Sequence, residues 1–181
     1  MKYKKLALLS ALLSFGLMAP METQAFEFFV RPSKVERQAA PLAYQLFCLK
    51  SPRDCRAGAS GSIRLTAAKQ AMLARINRQV NRSMRPVYDK GVDRWSADTR
   101  SGDCEDFALT KRRHLIKAGF PAGALRMAVA RTGWGEGHAV LVVHTSTGDY
   151  VLDNRTDSIK TWRQTDLKLI KMASANPLRW N

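Results

Sequence analysis

Three short runs of the chain carry side chains able to make or break a covalent bond. The first is Gly102-Asp103-Cys104-Glu105-Asp106. The thiolate is the reactive form of cysteine. A helix opening at Cys104 would set the sulfur beside unsatisfied N–H groups and the positive end of the helix dipole. The Cys104 N–H would then be placed to bind an oxyanion. The flanking carboxylates oppose thiolate formation, so a compensating charge must come from elsewhere. Without one, the run is only an acidic cluster that complements the dipole.

The second run is Gly137-His138-Ala139-Val140-Leu141-Val142-Val143, preceded by Gly133 and Gly135. A histidine opening an apolar strand after a glycine-rich loop can reach a cleft, or simply end the strand with a satisfied hydrogen bond. The third is Val151-Leu152-Asp153-Asn154. A Cys–His pair needs a third polar group to orient the imidazole, and Asp153 is the candidate. Strand register leaves a rival. If Ser146 to Asp149 form the hairpin loop, Thr145 pairs with Tyr150 and Asp157 sits opposite His138. Asp153 then requires a bulge, an offset or a longer turn. His114 lies among Lys111, Arg112, Arg113 and Lys117 and reads as surface. His144 lies roughly 20 Å along the strand from His138 at ~3.3 Å per residue.

These groups need elements to position them. Residues 26 to 34 read as an extended lead-in. Pro41 to about Cys48 fits a short helix with proline in its first turn. Thr66 suits the N-cap of a helix running to about Met84, with Met72, Ile76 and Val80 on one face and Pro86 beyond its end. Val87 to Gly102 is irregular. A helix over about Cys104 to Ala118 ends at Gly119-Phe120-Pro121. The periodicity then changes: Leu125 to Ala130, His138 to Thr145, Tyr150 to Asn154 and Leu167 to Met172 read as strands. Helices followed by strands predict an α+β domain.

The first 25 residues read as an address. Lys2, Lys4 and Lys5 precede an apolar run from Leu6 to Ala19, and Thr23-Gln24-Ala25 has small residues where a signal peptidase cuts. The rival is a retained anchor, but about 14 apolar residues fall short of the ~20 that span a bilayer. Residues 1–25 are therefore expected to be a signal peptide and 26–181 one exported, periplasmic domain without a stable membrane span. The whole chain of 181 residues carries +15, and +13 remains after residue 25. Such charge suits nucleic acid, anionic polymers or a lipid surface; export disfavours nucleic acid. An oxidising compartment lets Cys48 and Cys55 close a disulfide across a Ser-Pro turn, the alternative being two buried thiols. Cys104 is then the odd cysteine, a candidate reactive thiol.

Taken together, the three runs resemble the bacterial transglutaminase-like cysteine proteinase family. The resemblance spans about Arg85 to Trp162 and extends toward Trp180. It includes Arg85-Pro86, Val92-Asp93-Arg94-Trp95, Lys111-Arg112-Arg113 and Gly148-Asp149-Tyr150, with a Phe-Cys…Cys segment near residues 47 to 55. It implies a papain/transglutaminase-like α+β fold, with N-terminal helices packed on a C-terminal antiparallel sheet. It also implies a Cys104, His138, Asp153 triad, which selects Asp153 over Asp157. Adhesin-processing members of the family are periplasmic endopeptidases that require calcium. Their ligands include the acids flanking the nucleophile, here Asp103 and Glu105, so a divalent cation would supply the missing compensation. The chain departs from the family at Phe107, where tyrosine is common, and at Ser96-Ala97-Asp98-Thr99, where a proline turn is usual. The expected partner is a protein substrate, such as a surface adhesin. The expected chemistry is peptide hydrolysis through a thioester, with the Trp95 region offering a second oxyanion donor. A transglutaminase-like crosslinking enzyme and a non-catalytic basic periplasmic binding module are the competing readings.

Overall fold

The computed structural model describes residues 38–58 and 61–181. The predicted signal peptide and the lead-in over 26 to 34 lie outside the described residues. The element order is β1 (Gln38–Ala39), α1 (Leu42–Lys50), a 3₁₀ turn (Pro52–Cys55), α2 (Ala67–Ser83), β2 (Arg85–Pro86), β3 (Ser101–Gly102) and α3 (Cys104–Lys117). A 3₁₀ turn (Ala122–Ala124) leads into β4 (Leu125–Arg131), β5 (Gly137–Thr145), β6 (Gly148–Leu152) and β7 (Lys160–Thr161). A third 3₁₀ turn (Trp162–Gln164) precedes β8 (Lys168–Met172) and β9 (Arg179–Trp180). Helices come first and the main sheet last, the α+β order expected from the sequence.

The main sheet is antiparallel, in the order β7-β6-β5-β4-β8. Its central strand β5 is buried on both faces, which explains the unbroken apolar run Ala139 to Val143. Leu141 and Val143 join the helix-side core, with Tyr44, Leu73, Val80, Phe107 and Leu115. Val140 and Val142 face a smaller cluster containing Ala128, Ala130, Val151 and Leu167.

Local contacts set the start of α2 and the end of α3. Thr66 Oγ1 accepts the Lys69 N–H at 3.3 Å and caps α2. The buried stripe of α2 is Leu73, Ile76, Asn77 and Val80, while Met72 is only half-buried at its edge. At the end of α3, Gly119 adopts φ +88°. Its N–H donates to the Ile116 carbonyl and that of Phe120 to the Leu115 carbonyl, each at 3.0 Å.

Two residues of the basic triplet beside His114 on α3 are interior. Lys111 and Arg112 are 0% and 1% exposed, because α3 is enclosed between α2 and the sheet. Arg112 donates to the carbonyls of Leu125, Asp54 and Ala122. Arg113 binds both Asp54 oxygens, at 3.0 and 2.6 Å. His114 is partly exposed and pairs with Asp98 at 3.0 Å. Cys48 and Cys55 form a disulfide that staples α1 to the following 3₁₀ turn.

The β5–β6 register differs from both sequence alternatives. Thr145 pairs with Gly148 and Leu141 with Leu152, so the connection is a two-residue turn, Ser146-Thr147. Asp153 lies just past the end of β6 and diagonally across from His138. No bulge is needed, because diagonal neighbours on one face lie within reach of longer side chains.

Candidate active site

Cys104 is the first residue of α3, so its N–H lacks an intrahelical acceptor. The strand pair β2–β3 sets the start of this helix. Arg85 and Pro86 run parallel to Ser101 and Gly102, and the Val87 N–H donates to the Gly102 carbonyl at 2.9 Å. Gly102 is required by a close approach: a Cβ there would lie 2.0 Å from Asp106 Oδ2. The other Asp106 oxygen accepts the Ser96 N–H at 2.7 Å and clamps the irregular loop onto α3.

The Cys104 sulfur accepts the Ala139 N–H at 3.3 Å, next to His138 in β5. The thiol also approaches Glu105 Oε2 at 3.4 Å. His138 Nε2 lies 2.9 Å from Asp153 Oδ1, both side chains being buried. That contact leaves Nδ1 as the imidazole nitrogen free for proton transfer. Cys104 and His138 line the same cleft of about 390 Å³, with Val87, Tyr88, Glu136 and Asn154 around them. The Asp157 carboxylate is held elsewhere, by Asn81 Nδ2 and Arg82 Nη2, each at 3.2 Å. His144 pairs with Asp149 across the hairpin. The Trp95 indole is buried and donates to Asp93 Oδ2 at 3.1 Å.

Charge around the thiol is unbalanced. Burial pushes the Cys104 thiol up to about 12; the Ala139 N–H opposes that shift, while Glu105 and Asp103 add to it. Burial, together with the neighbouring Asp103 carboxylate, pushes Glu105 up to about 9. Burial and the neighbouring Asp103 and Asp89 raise Asp106 to about 6. At Asp153, burial is outweighed by hydrogen bonds from His138 and Arg155, which hold the carboxyl well below its usual range.

Asp103 and Glu105 are joined by an acid that sequence reasoning missed. Asp89, Asp103 and Glu105 each offer an oxygen, all within 4.8 Å of one another. Asp103 Oδ1 and Glu105 Oε1 are buried and lack hydrogen-bond partners among the described residues. Three converging hard oxygen donors, two of them with an orphaned buried oxygen, fit a calcium ion. Asp89 sits in a stretch without periodicity, and only the β2–β3 pairing returns it to the helix start. Arg155 was also missed, although it is two residues from Asp153. Its backbone N–H reaches Asp153 Oδ1 at 2.9 Å, while Nε and Nη2 reach Oδ2 at 3.0 and 2.8 Å.

The fold has counterparts among known proteins. A solved structure of Legionella pneumophila LapG matches with a TM-score of 0.53 and 25% identity over 59% of this chain. A calcium-bound structure of the same protein matches at 0.51, with 25% identity over 59% of this chain. The chain spans 64% and 65% of these two structures, just under two thirds of their length. No curated protein matches the chain. The family model described as bacterial transglutaminase-like cysteine proteinase, BTLCP, matches residues 34–181. A thiol opening a helix, an adjacent His–Asp pair and this match over most of the sequence place the chain in the bacterial transglutaminase-like cysteine proteinase family.

Proposed function

We propose that the protein is an exported, periplasmic cysteine endopeptidase that cleaves a cell-surface protein, with Cys104 as nucleophile, His138 as general acid–base and Asp153 as orienter. The observation that carries this reading is the 2.9 Å His138–Asp153 contact at a cleft also lined by Cys104. His138 Nδ1 takes the thiol proton as the sulfur attacks the scissile carbonyl carbon. The Cys104 N–H faces the developing oxyanion. The C–N bond breaks as His138 returns the proton to the leaving amine, leaving a thioester. His138 then takes a proton from water, the resulting hydroxide attacks the thioester, and the acid product and thiol are released. Asp153 holds the Nε2 proton throughout and stabilises the imidazolium.

Asp89, Asp103 and Glu105 would hold a calcium ion, a reading supported by their orphaned oxygens and by the calcium-bound LapG structure. When bound, the ion would neutralise the carboxylates beside the thiol and engage the Glu105 acceptor that competes with His138 for the thiol proton.

Comparison of periplasmic termini between wild type and Cys104→Ala tests the reading. A product terminus present in wild type is expected to vanish in the variant, with thermal stability nearly unchanged. Persistence of every terminus sinks the peptidase assignment. Incorporation of a fluorescent amine into protein, with no new terminus, would instead indicate crosslinking. For calcium, EGTA is expected to abolish cleavage and excess Ca²⁺ to restore it. Calorimetry showing no Ca²⁺ binding removes that part of the proposal.

A further inference from the structure

Arg155 sits between two acids. On one side it donates its backbone N–H, Nε and Nη2 to Asp153. On the other, Nη1 and Nη2 donate to the two oxygens of Asp166, at 3.1 and 2.8 Å. Asp166 Oδ2 also accepts the Gly133 N–H at 3.0 Å. Gly133 lies in the turn between β4 and β5 that carries Thr132 and Glu136 into the cleft wall, with Trp134 exposed between them. The contacts therefore form a closed circuit: His138, Asp153, Arg155, Asp166, Gly133 and back along the chain to His138. Three of the four hydrogen bonds on the Asp153 carboxylate come from this one arginine, the fourth being the bond with His138. Asp153 is 4% exposed, so water cannot readily replace them.

We propose that Arg155 is a positioning residue: it fixes the Asp153 carboxylate against His138 and, through Asp166, ties the Gly133 turn of the cleft wall to the same carboxylate. A planar guanidinium can fork onto two carboxylates at once, whereas an ammonium cannot reproduce that geometry. The inference rests on the roles given above to His138 and Asp153. Its readouts do not depend on substrate cleavage.

The test uses the full chain in calcium-containing buffer. The first readout is the deshielded proton resonance of His138 Nε2–H. The second is the rate at which iodoacetamide alkylates Cys104. In Arg155→Gln the resonance is expected to move upfield or broaden away, and alkylation to slow by roughly 10- to 100-fold, as expected for a misplaced catalytic group. Arg155→Lys is expected to give an intermediate resonance, and it decides the question if Arg155→Gln does not fold. Asp166→Asn is expected to keep the resonance but speed hydrogen exchange at the Gly133 amide. A wild-type resonance and alkylation rate in the folded Arg155 variants overturns the positioning role, whatever happens to thermal stability. Unchanged Gly133 exchange in Asp166→Asn overturns the tie to the cleft wall. Absence of cleavage by wild type, with the resonance shifting as expected, refutes the peptidase reading and leaves the Arg155 assignment standing.

Discussion

At the scale of single residues, the buried charges separate into those with partners and one without. Arg112 has three carbonyl acceptors and Asp153 has four donors. The Lys111 ammonium is fully buried and has no hydrogen-bond partner among the described residues. Its nearest aromatic contact is Phe107, at 6.0 Å. Burial lowers Lys111 to about 7, against the attraction of Asp153 and Asp157. Between about pH 7 and 10.5 the unfolded chain therefore binds a proton that the folded protein does not. Stability from this residue should rise with pH across that window, by up to about 1.4 kcal/mol per pH unit. Below pH 7 the full cost of burying the ammonium is present. Lys111→Met is expected to flatten that rise and to be the more stable protein at pH 6. Urea titrations at pH 6 and pH 9 check this; a variant less stable than wild type at pH 6 would show that the charge is favourable where it sits. The sequence could not disclose this burial. Lys, Arg, Arg on a helix ordinarily marks a solvated face, and only the enclosure of α3 between α2 and the sheet makes these side chains interior.

At the scale of elements, the site depends on how α3 begins and how β5 turns into β6. Both helix and strand were legible, because Cys104 follows a capping position and the short, β-branched apolar run after His138 fits a buried strand. The turn was less legible. Ser146-Thr147 closes in two residues, with Gly148 at φ +132°, and a difference of two in register decides which acid stands near His138. Composition alone does not fix that count. The start of α3 supplies the prediction at this scale. A methyl at Gly102 cannot coexist with the Asp106 carboxylate as placed. Gly102→Ala is expected to cost about 1–3 kcal/mol, as overpacking does. It should also slow Cys104 alkylation at temperatures where the protein is still folded, because the clamp on the helix start must move. A variant with wild-type melting and wild-type alkylation would show that the strand pair yields without disturbing the thiol.

At the scale of the molecule, the charge that dominates the composition is only partly a surface property. Arg112 and Arg113 hold the 3₁₀ turn of the disulfide segment to α3 through Asp54, so basic residues here join elements. The Cys48–Cys55 bridge is expected to contribute roughly 2–3 kcal/mol by closing its loop in the unfolded chain. Replacing both cysteines with serine should lower the unfolding free energy from denaturant titration by that amount while leaving Cys104 alkylation near the wild-type rate. A large loss of alkylation in a folded double variant would place the disulfide within the site's support. Among the described residues no helix is long and apolar enough to cross a membrane.

The pairing of β1 with β9 has a consequence in time. Trp180 is 1% exposed and stacks edge-on against Tyr44 at 5.5 Å, and Tyr44 meets Trp95 at the same spacing. Trp95 lies in the loop that Asp106 clamps to the start of α3. An aromatic plug made from residues 44, 95 and 180 cannot assemble until the β9 segment has joined the fold. A nascent chain holding Cys104, His138 and Asp153 but not residue 180 still has an open core. The loop clamped to the start of α3, and with it the setting of Cys104, is therefore completed only once the β9 segment has docked.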